Sequence, residues 1–304
     1  MNLEPKARAF LDALRAAALP PMNEGTPEAA RAAMRLVRRA IAAPPLARVE
    51  DHVAEAAGLA VPVRLYVPEG DVAACLLYCH GGGWVVGSVE DSDGFARVLA
   101  ARTACAVVSV DYRLAPEHPF PAAIDDTVAA LTWLIAARQR LFGGEPPVGL
   151  IGDSAGANLV AVAARLARDA GMAPTFQILA YPVTDAAMDT ASYAAFGEDL
   201  LLTPDLMAWF WRHYADAAAR NDPRASPLRA ESLAGLPPAF VLTAENDVLR
   251  DEGEAYGAAL LRAGVPVICR RYSGQIHGFL TLVGMFDGGA AALDDIATYV
   301  AAHV

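Results

Sequence analysis

The chain has 304 residues, is 55% hydrophobic and carries a formal net charge of −11. That length and apolar content suit one large core. The acidic balance gives no electrostatic basis for holding nucleic-acid backbones or anionic lipid, and no run of like charge forms an interaction tail.

Residues 1–45 show a helical pattern broken at Leu19-Pro20-Pro21 and Pro44-Pro45. Glu4, Lys6, Arg8 and Asp12 interrupt its alanines and leucines, so the start resembles an amphipathic helix and not a signal peptide. No stretch approaches the length of a membrane span, and the expectation is a cytoplasmic protein. Val49–Ala56 and Val61–Val67 are predicted strands joined by a turn at Gly58, and Ala74–Cys79 is a continuous apolar run of the kind buried on both faces. Alternation follows: a helix over Ser92–Arg102, a strand over Ala106–Val110, a helix over Pro121–Arg140, a strand over Val148–Gly152, a helix over Ala155–Asp169 and a strand over Phe176–Tyr181. Tyr181 to Ala239 contains no strand pattern. Its one helical pattern, Pro204–Tyr214, is expected to lie over the strands' carboxyl ends as a cap. A strand over Ala239–Ala244, a helix over Glu252–Ala263, a strand over Val265–Tyr272 and a helix over Ala290–Ala302 complete the chain. Such alternation predicts an α/β fold with a mostly parallel sheet covered on both faces. The four cysteines, Cys75, Cys79, Cys105 and Cys269, are expected to be reduced and packed, since their spacing does not suit zinc.

Gly152-Asp153-Ser154-Ala155-Gly156 has the G-x-S-x-G form of a nucleophile elbow, with an apolar strand before it and a helix after it. A serine there meets a helix N-terminus, whose free amides favour developing negative charge. His80-Gly81-Gly82-Gly83-Trp84 follows another apolar strand. Backbone amides of Gly81 and Gly82, with that of Ala155, are expected to form an oxyanion hole. No Gly-Lys-Ser/Thr follows to suggest a phosphate loop, and His80 is expected to bond loop backbone instead of acting as a base or metal ligand.

A serine triad on such a sheet needs an acid and then a histidine downstream. Of six histidines, His277 is the one in the loop between the last predicted strand and the final helix. Asp247 follows the strand ending near Ala244, with Glu245 and Asp251 as competing acids. The cap supplies Phe196, Trp209, Phe210, Trp211 and Tyr214 as aromatic candidates for packing, substrate contact or both.

Taken with the block Asp111-Tyr112-Arg113-Leu114-Ala115-Pro116-Glu117, the segment Asp247-Val248-Leu249-Arg250-Asp251-Glu252 and His277-Gly278-Phe279, these motifs resemble the bacterial hormone-sensitive-lipase-type (family IV) carboxylesterases of the α/β-hydrolase superfamily. The resemblance runs from about residue 45 to the end, departing where Val248 stands for the proline common in relatives. It implies a mostly parallel eight-stranded sheet flanked by helices. It also implies a catalytic domain over 46–184 and 226–304, and a cap made of residues 1–45 and 185–225. It implies Ser154, Asp247 and His277 as triad and Gly81, Gly82 and Ala155 as oxyanion donors. Trp84, Phe196, Trp209, Phe210 and Tyr214 would contact substrate. The activity implied is hydrolysis of short- to medium-chain esters through an acyl-enzyme, with no metal or cofactor and no nucleic-acid partner. A homodimer through the edge strand over Val265–Tyr272 is a further implication. Asp111, Arg113 and Glu117 are read as a buried brace beneath the glycine loop, Asp153 as structural, and Asp125 and Asp126 as first-turn helix charges. Two rivals differ by feature: a hormone receptor of this fold would lack His277, whereas an amidase or lactonase would keep the whole triad.

Overall fold

The computed structural model describes residues 1–18, 20–38, 43–197 and 199–304, with the side chains of 36–38 left aside. Leu19, part of the predicted first break, therefore lies outside the described residues. Helices α1 (Pro5–Ala16) and α2 (Pro27–Arg38) come first, each opening on a proline whose missing N–H costs a helix nothing there. Strands β1 (Arg48–Ala56) and β2 (Leu59–Val67) form a hairpin through Ala57 and Gly58, both at positive φ, a turn whose twist matches the flanking strands.

The regular part then runs β3 (Cys75–Cys79), α3 (Val89–Thr103), β4 (Ala106–Val110), α4 (Ala122–Phe142), β5 (Val148–Asp153), α5 (Ala155–Asp169) and β6 (Phe176–Ala180). After it come α6 (Ala191–Ala195), α7 (Pro204–Tyr214), β7 (Ala239–Asn246), α8 (Arg250–Arg262), β8 (Val267–Ile276) and α9 (Asp287–Ala301). The eight strands lie in the order β1-β2-β4-β3-β5-β6-β7-β8. The first two neighbouring pairs, β1-β2 and β2-β4, are antiparallel and the other five parallel. The predicted sheet is thus the observed one.

Alternation along β3 shows why both faces are covered. Cys75, Leu77 and Cys79 enter one apolar core with α4, α5, α7 and α8, whereas Leu76 and Tyr78 enter the other with α1, α3 and α9. Strand β8 runs four residues past its predicted end at Tyr272. Ser273-Gly274 suggests a turn, but a bulge between Ala244 and Asn246 of β7 absorbs the extra residues and pairing resumes at Asn246–Ile276. Cys269 sits exposed on this outer strand, which corrects the expectation of four packed thiols; the other three are buried. Among the described residues between Tyr181 and Ala239 there is no strand, as expected. No helix among the described residues is long and apolar enough to cross a membrane.

Candidate active site

Four loops begin one residue beyond the carboxyl ends of parallel strands: His80 after β3, Ser154 after β5, Asp247 after β7 and His277 after β8. Parallel pairing puts all four ends on one edge of the sheet, so residues far apart in sequence converge.

Ser154 adopts φ 56 and ψ −121, a backbone region sparsely used by residues with side chains and costing about 1–3 kcal/mol. Its neighbours make the turn possible. A Cβ at Gly152 would strike the backbone of Gly156, and one at Gly156 would strike the Cys79 carbonyl. The strain is held from outside: the Ser154 amide donates to the Ala180 carbonyl at 2.9 Å. Asn158, one turn into α5, donates to the carbonyls of Val183 (2.9 Å) and Ala225 (2.8 Å), pinning the helix behind the serine.

The serine, histidine and acid form one hydrogen-bonded row. His277 Nε2 lies 3.0 Å from Ser154 Oγ, and His277 Nδ1 lies 2.7 Å from Asp247 Oδ2. Asp247 is 1% exposed and its other oxygen accepts the Leu249 amide at 3.0 Å, which fixes the carboxylate plane. The competing acids are engaged elsewhere. Glu245 accepts the Gly274 amide at 2.6 Å, and Asp251 accepts from the Ser192 amide and Arg250. Tyr181, at the end of β6, sets its ring against the His277 imidazole with centroids 4.7 Å apart. Sequence reading passed over Tyr181, although its place at a strand's carboxyl end was the available clue.

The glycine loop differs from expectation in one donor. The Gly81 amide is already spent on Asp153 Oδ1 at 2.9 Å, beside the Tyr78 hydroxyl at 2.8 Å on the same oxygen. By contrast, the amides of Gly82, Gly83 and Ala155 meet no acceptor among the described residues. Their directions are set through their peptide planes, because in a trans peptide the C=O and the following N–H point opposite ways. His80 Nδ1 lies 2.8 Å from the Gly81 carbonyl, which orients the Gly82 N–H. The amides of Val85 (3.1 Å) and Val86 (2.9 Å) both donate to the Gly82 carbonyl, which orients the Gly83 N–H. Gly82 and Gly83 have φ of 130 and 57, and a Cβ on either would collide, with Val86 or with the Phe210 ring respectively. His80 itself stacks on Tyr112, whose hydroxyl donates to the His80 carbonyl at 2.7 Å, so it serves the loop's architecture.

Three other expectations need correction. Trp84 and Tyr214 are fully buried and stacked on each other at 4.0 Å with Trp211 alongside, so they pack the cap onto the loop and present no surface to a substrate. Asp111, Arg113 and Glu117 do not form one buried brace. Asp111 takes the Val89 amide, Arg113 pairs with Asp126, and the exposed Glu117 pairs with Arg31 of α2. Asp126, buried within α4, accepts the Arg113 backbone amide and guanidinium, so it is chiefly an anchor and only incidentally a helix charge. Of the remaining aromatic candidates, Phe210 lies against Gly83, Trp209 lies beside Phe210 and His213, and Phe196 is half-buried beneath the Arg250 guanidinium. Leu201 approaches Gly278, next to the histidine. Among the described residues no cluster of three or more His, Cys, Asp or Glu could hold a metal ion.

One buried acid lies close behind the row. Glu252, in the first turn of α8, is 1% exposed, and its Oε1 accepts the Thr184 amide at 2.6 Å. Burial pushes its carboxyl up to about 8, with the charges of Asp185 and Asp247 adding to the rise.

Residues 76–281 match the alpha/beta hydrolase fold family. The chain is 41% identical over 286 residues to the carboxylic ester hydrolase LipN of Mycobacterium tuberculosis, spanning 91% of this chain and 76% of that one. It is 39% identical over 232 residues to an ethyl acetate hydrolase of Pseudomonas putida, spanning 74% and 73% of the two chains. Among solved structures it is similar to the hyperthermophilic esterase of the archaeon Pyrobaculum calidifontis, with a TM-score of 0.93, 39% identity and 99% of each chain covered. Likeness this extensive in both sequence and structure places the chain: it belongs to the α/β-hydrolase fold family, in its hormone-sensitive-lipase-like branch.

Proposed function

We propose that this protein is a serine carboxylesterase that cleaves short- to medium-chain carboxylic esters through an acyl-enzyme on Ser154. The row Ser154–His277–Asp247 carries the proposal, because a serine hydroxyl becomes a nucleophile only when a positioned base takes its proton. His277 Nε2 accepts that proton as Ser154 Oγ attacks the ester carbonyl. Asp247 holds the imidazole tautomer and stabilises the imidazolium. The carbonyl oxygen gains charge and accepts from the amides of Gly82, Gly83 and Ala155, with Gly83 replacing the committed Gly81. His277 then returns its proton to the leaving alcohol, and a water activated by the same histidine releases the acid. No step calls on a metal or organic cofactor.

Phe210 against the loop and Leu201 against Gly278 crowd the reacting centre, which supports small acyl groups, as does similarity to an ethyl acetate hydrolase. Residues 1–45 and 185–225 act as the cap in this reading, supported by packing between Met22–Glu24 and α7. Pairing of two copies through the exposed edge of β8, and a cytoplasmic setting consistent with four free thiols, complete it.

A fluorophosphonate probe followed by peptide mapping tests the core of the proposal. Label is expected on Ser154 and absent in Ser154→Ala. A label elsewhere, or nitrophenyl ester turnover retained in Ser154→Ala, refutes it. Asp247→Asn is expected to lower kcat by ~10⁴-fold while Glu245→Gln and Asp251→Asn do not. A nitrophenyl ester series that peaks at long chains would refute the acyl preference.

A further inference from the structure

We propose that Arg31, on the N-terminal helix α2, is a positioning residue for the oxyanion loop. This rests on the esterase reading above. Its guanidinium is used at every nitrogen. Nε donates to the Val85 carbonyl at 2.8 Å, and Nη2 donates to the Ala115 carbonyl at 3.0 Å. Nη1 and Nη2 form a two-pronged pair with Glu117 at 2.9 and 2.6 Å.

Each contact bears on the same turn. The Val85 amide is one of the two that hold the Gly82 carbonyl, and that carbonyl shares its peptide plane with the Gly83 N–H. Arg31 fixes the Val85 carbonyl on the other side of the same residue. The Ala115 amide donates to the Trp84 carbonyl at 2.9 Å, and Arg31 fixes the Ala115 carbonyl as well. The guanidinium thus ties together the two backbone segments that set the loop's shape. The planar fork of arginine matches two carbonyls and a carboxylate at once, which lysine cannot do. Helix α2 otherwise buries little, with Ala30 its one buried hydrophobic side chain among those described. Arg31 is therefore also a principal link between that helix and the reacting centre. Glu117 supports the fork from solvent, and Arg31 holds its carboxyl down at about 2, so the pair stays charged across the working pH range.

Every hydrogen bond of Arg31 among the described residues goes to the Val85 and Ala115 carbonyls or to Glu117, so its loss should act through the loop on the transition state and leave ground-state binding alone. The test compares the wild-type enzyme with Arg31→Met and Glu117→Gln in three measurements: kcat and KM on nitrophenyl butyrate, Ki for a trifluoromethyl ketone that forms an oxyanion on the serine, and Ki for the butyrate product. Arg31→Met is expected to lower kcat ~10- to 100-fold with KM within about twofold, and to raise the ketone Ki in proportion while the butyrate Ki stays put. Glu117→Gln keeps both carbonyl contacts and should show the same pattern at about two- to fivefold. Folded Arg31→Met with unchanged kcat and ketone Ki overturns the proposal, as does equal weakening of both inhibitors. If Arg31→Met does not fold, the Glu117→Gln pattern decides, and unchanged values there overturn it. A wild-type enzyme with no ester turnover would instead strike the esterase reading.

Discussion

Replacing Glu252 by glutamine should make the fold markedly more tolerant of alkali. The carboxyl is 1% exposed, two backbone amides point at one of its oxygens, and no cation pairs with it among the described residues. Burial raises it from the ordinary 4.5 to about 8. Below about 4.5 the group is protonated in both folded and unfolded chains, and its contribution to stability is whole. As pH rises through that window the unfolded chain releases the proton while the folded one keeps it, so stability falls until about 8 and then levels. At about 1.4 kcal/mol per pH unit the total loss is ~5 kcal/mol, comparable with the whole stability of many domains. Glutamine has the same shape, can accept the same amides and has no proton to lose. Urea unfolding at about pH 5, 7 and 9 should show the variant gaining on the wild type by up to ~5 kcal/mol from acid to alkali. Parallel stability curves for the two proteins would show that Glu252 is not a neutral buried acid, and the reasoning would fail.

The remaining predictions concern the loop and the elbow. Gly156→Ala should give no folded protein, because its Cβ would strike the Cys79 carbonyl and neither backbone can retreat; soluble expression and circular dichroism check this. Gly83→Ala sets a Cβ against Cγ of the buried Phe210 at a φ of 57, so the loop or α7 must shift, and lower stability by chemical denaturation together with kcat down ~10- to 100-fold is expected in steady-state assays. Trp84→Ala should cost about 3–5 kcal/mol by chemical denaturation, as befits a fully buried ring and not a substrate contact. Asp126→Ala leaves the Arg113 amide and guanidinium without their acceptor and should cost ~1–3 kcal/mol in the same assay, with KM unchanged.

The sheet was legible in the sequence because continuous apolar runs such as Leu76–Cys79 are too short for buried helices and are flanked by turn residues, and their alternation with helices points to a mostly parallel sheet. Ser154 and Asp247 could be picked out because each lies shortly past such a run, and His277 because it falls in the loop between the last predicted strand and the final helix. The oxyanion donors were less legible. A motif names residues, whereas the direction of an amide depends on which carbonyl shares its plane and what holds that carbonyl; Asp153 taking the Gly81 N–H could not be foreseen. Helical spacing grouped the cap aromatics but could not say which meet the cleft, so Tyr214 was placed at the substrate when it stacks on Trp84. Arg31 and Glu252 escaped for a similar reason. Their partners lie 86 and 68 residues away in sequence, and nothing local marks an arginine that will reach the glycine loop or a glutamate that will be buried.

The aromatic stack also gives the protein a built-in optical reporter. Of its four tryptophans, Trp84 sits in the glycine loop and Trp209 and Trp211 ride on the helix above it, leaving only Trp133 elsewhere, on α4 beside His52. Intrinsic emission is therefore weighted toward the contact between α7 and the loop. Separation of those two surfaces would be visible as a red shift without any attached dye.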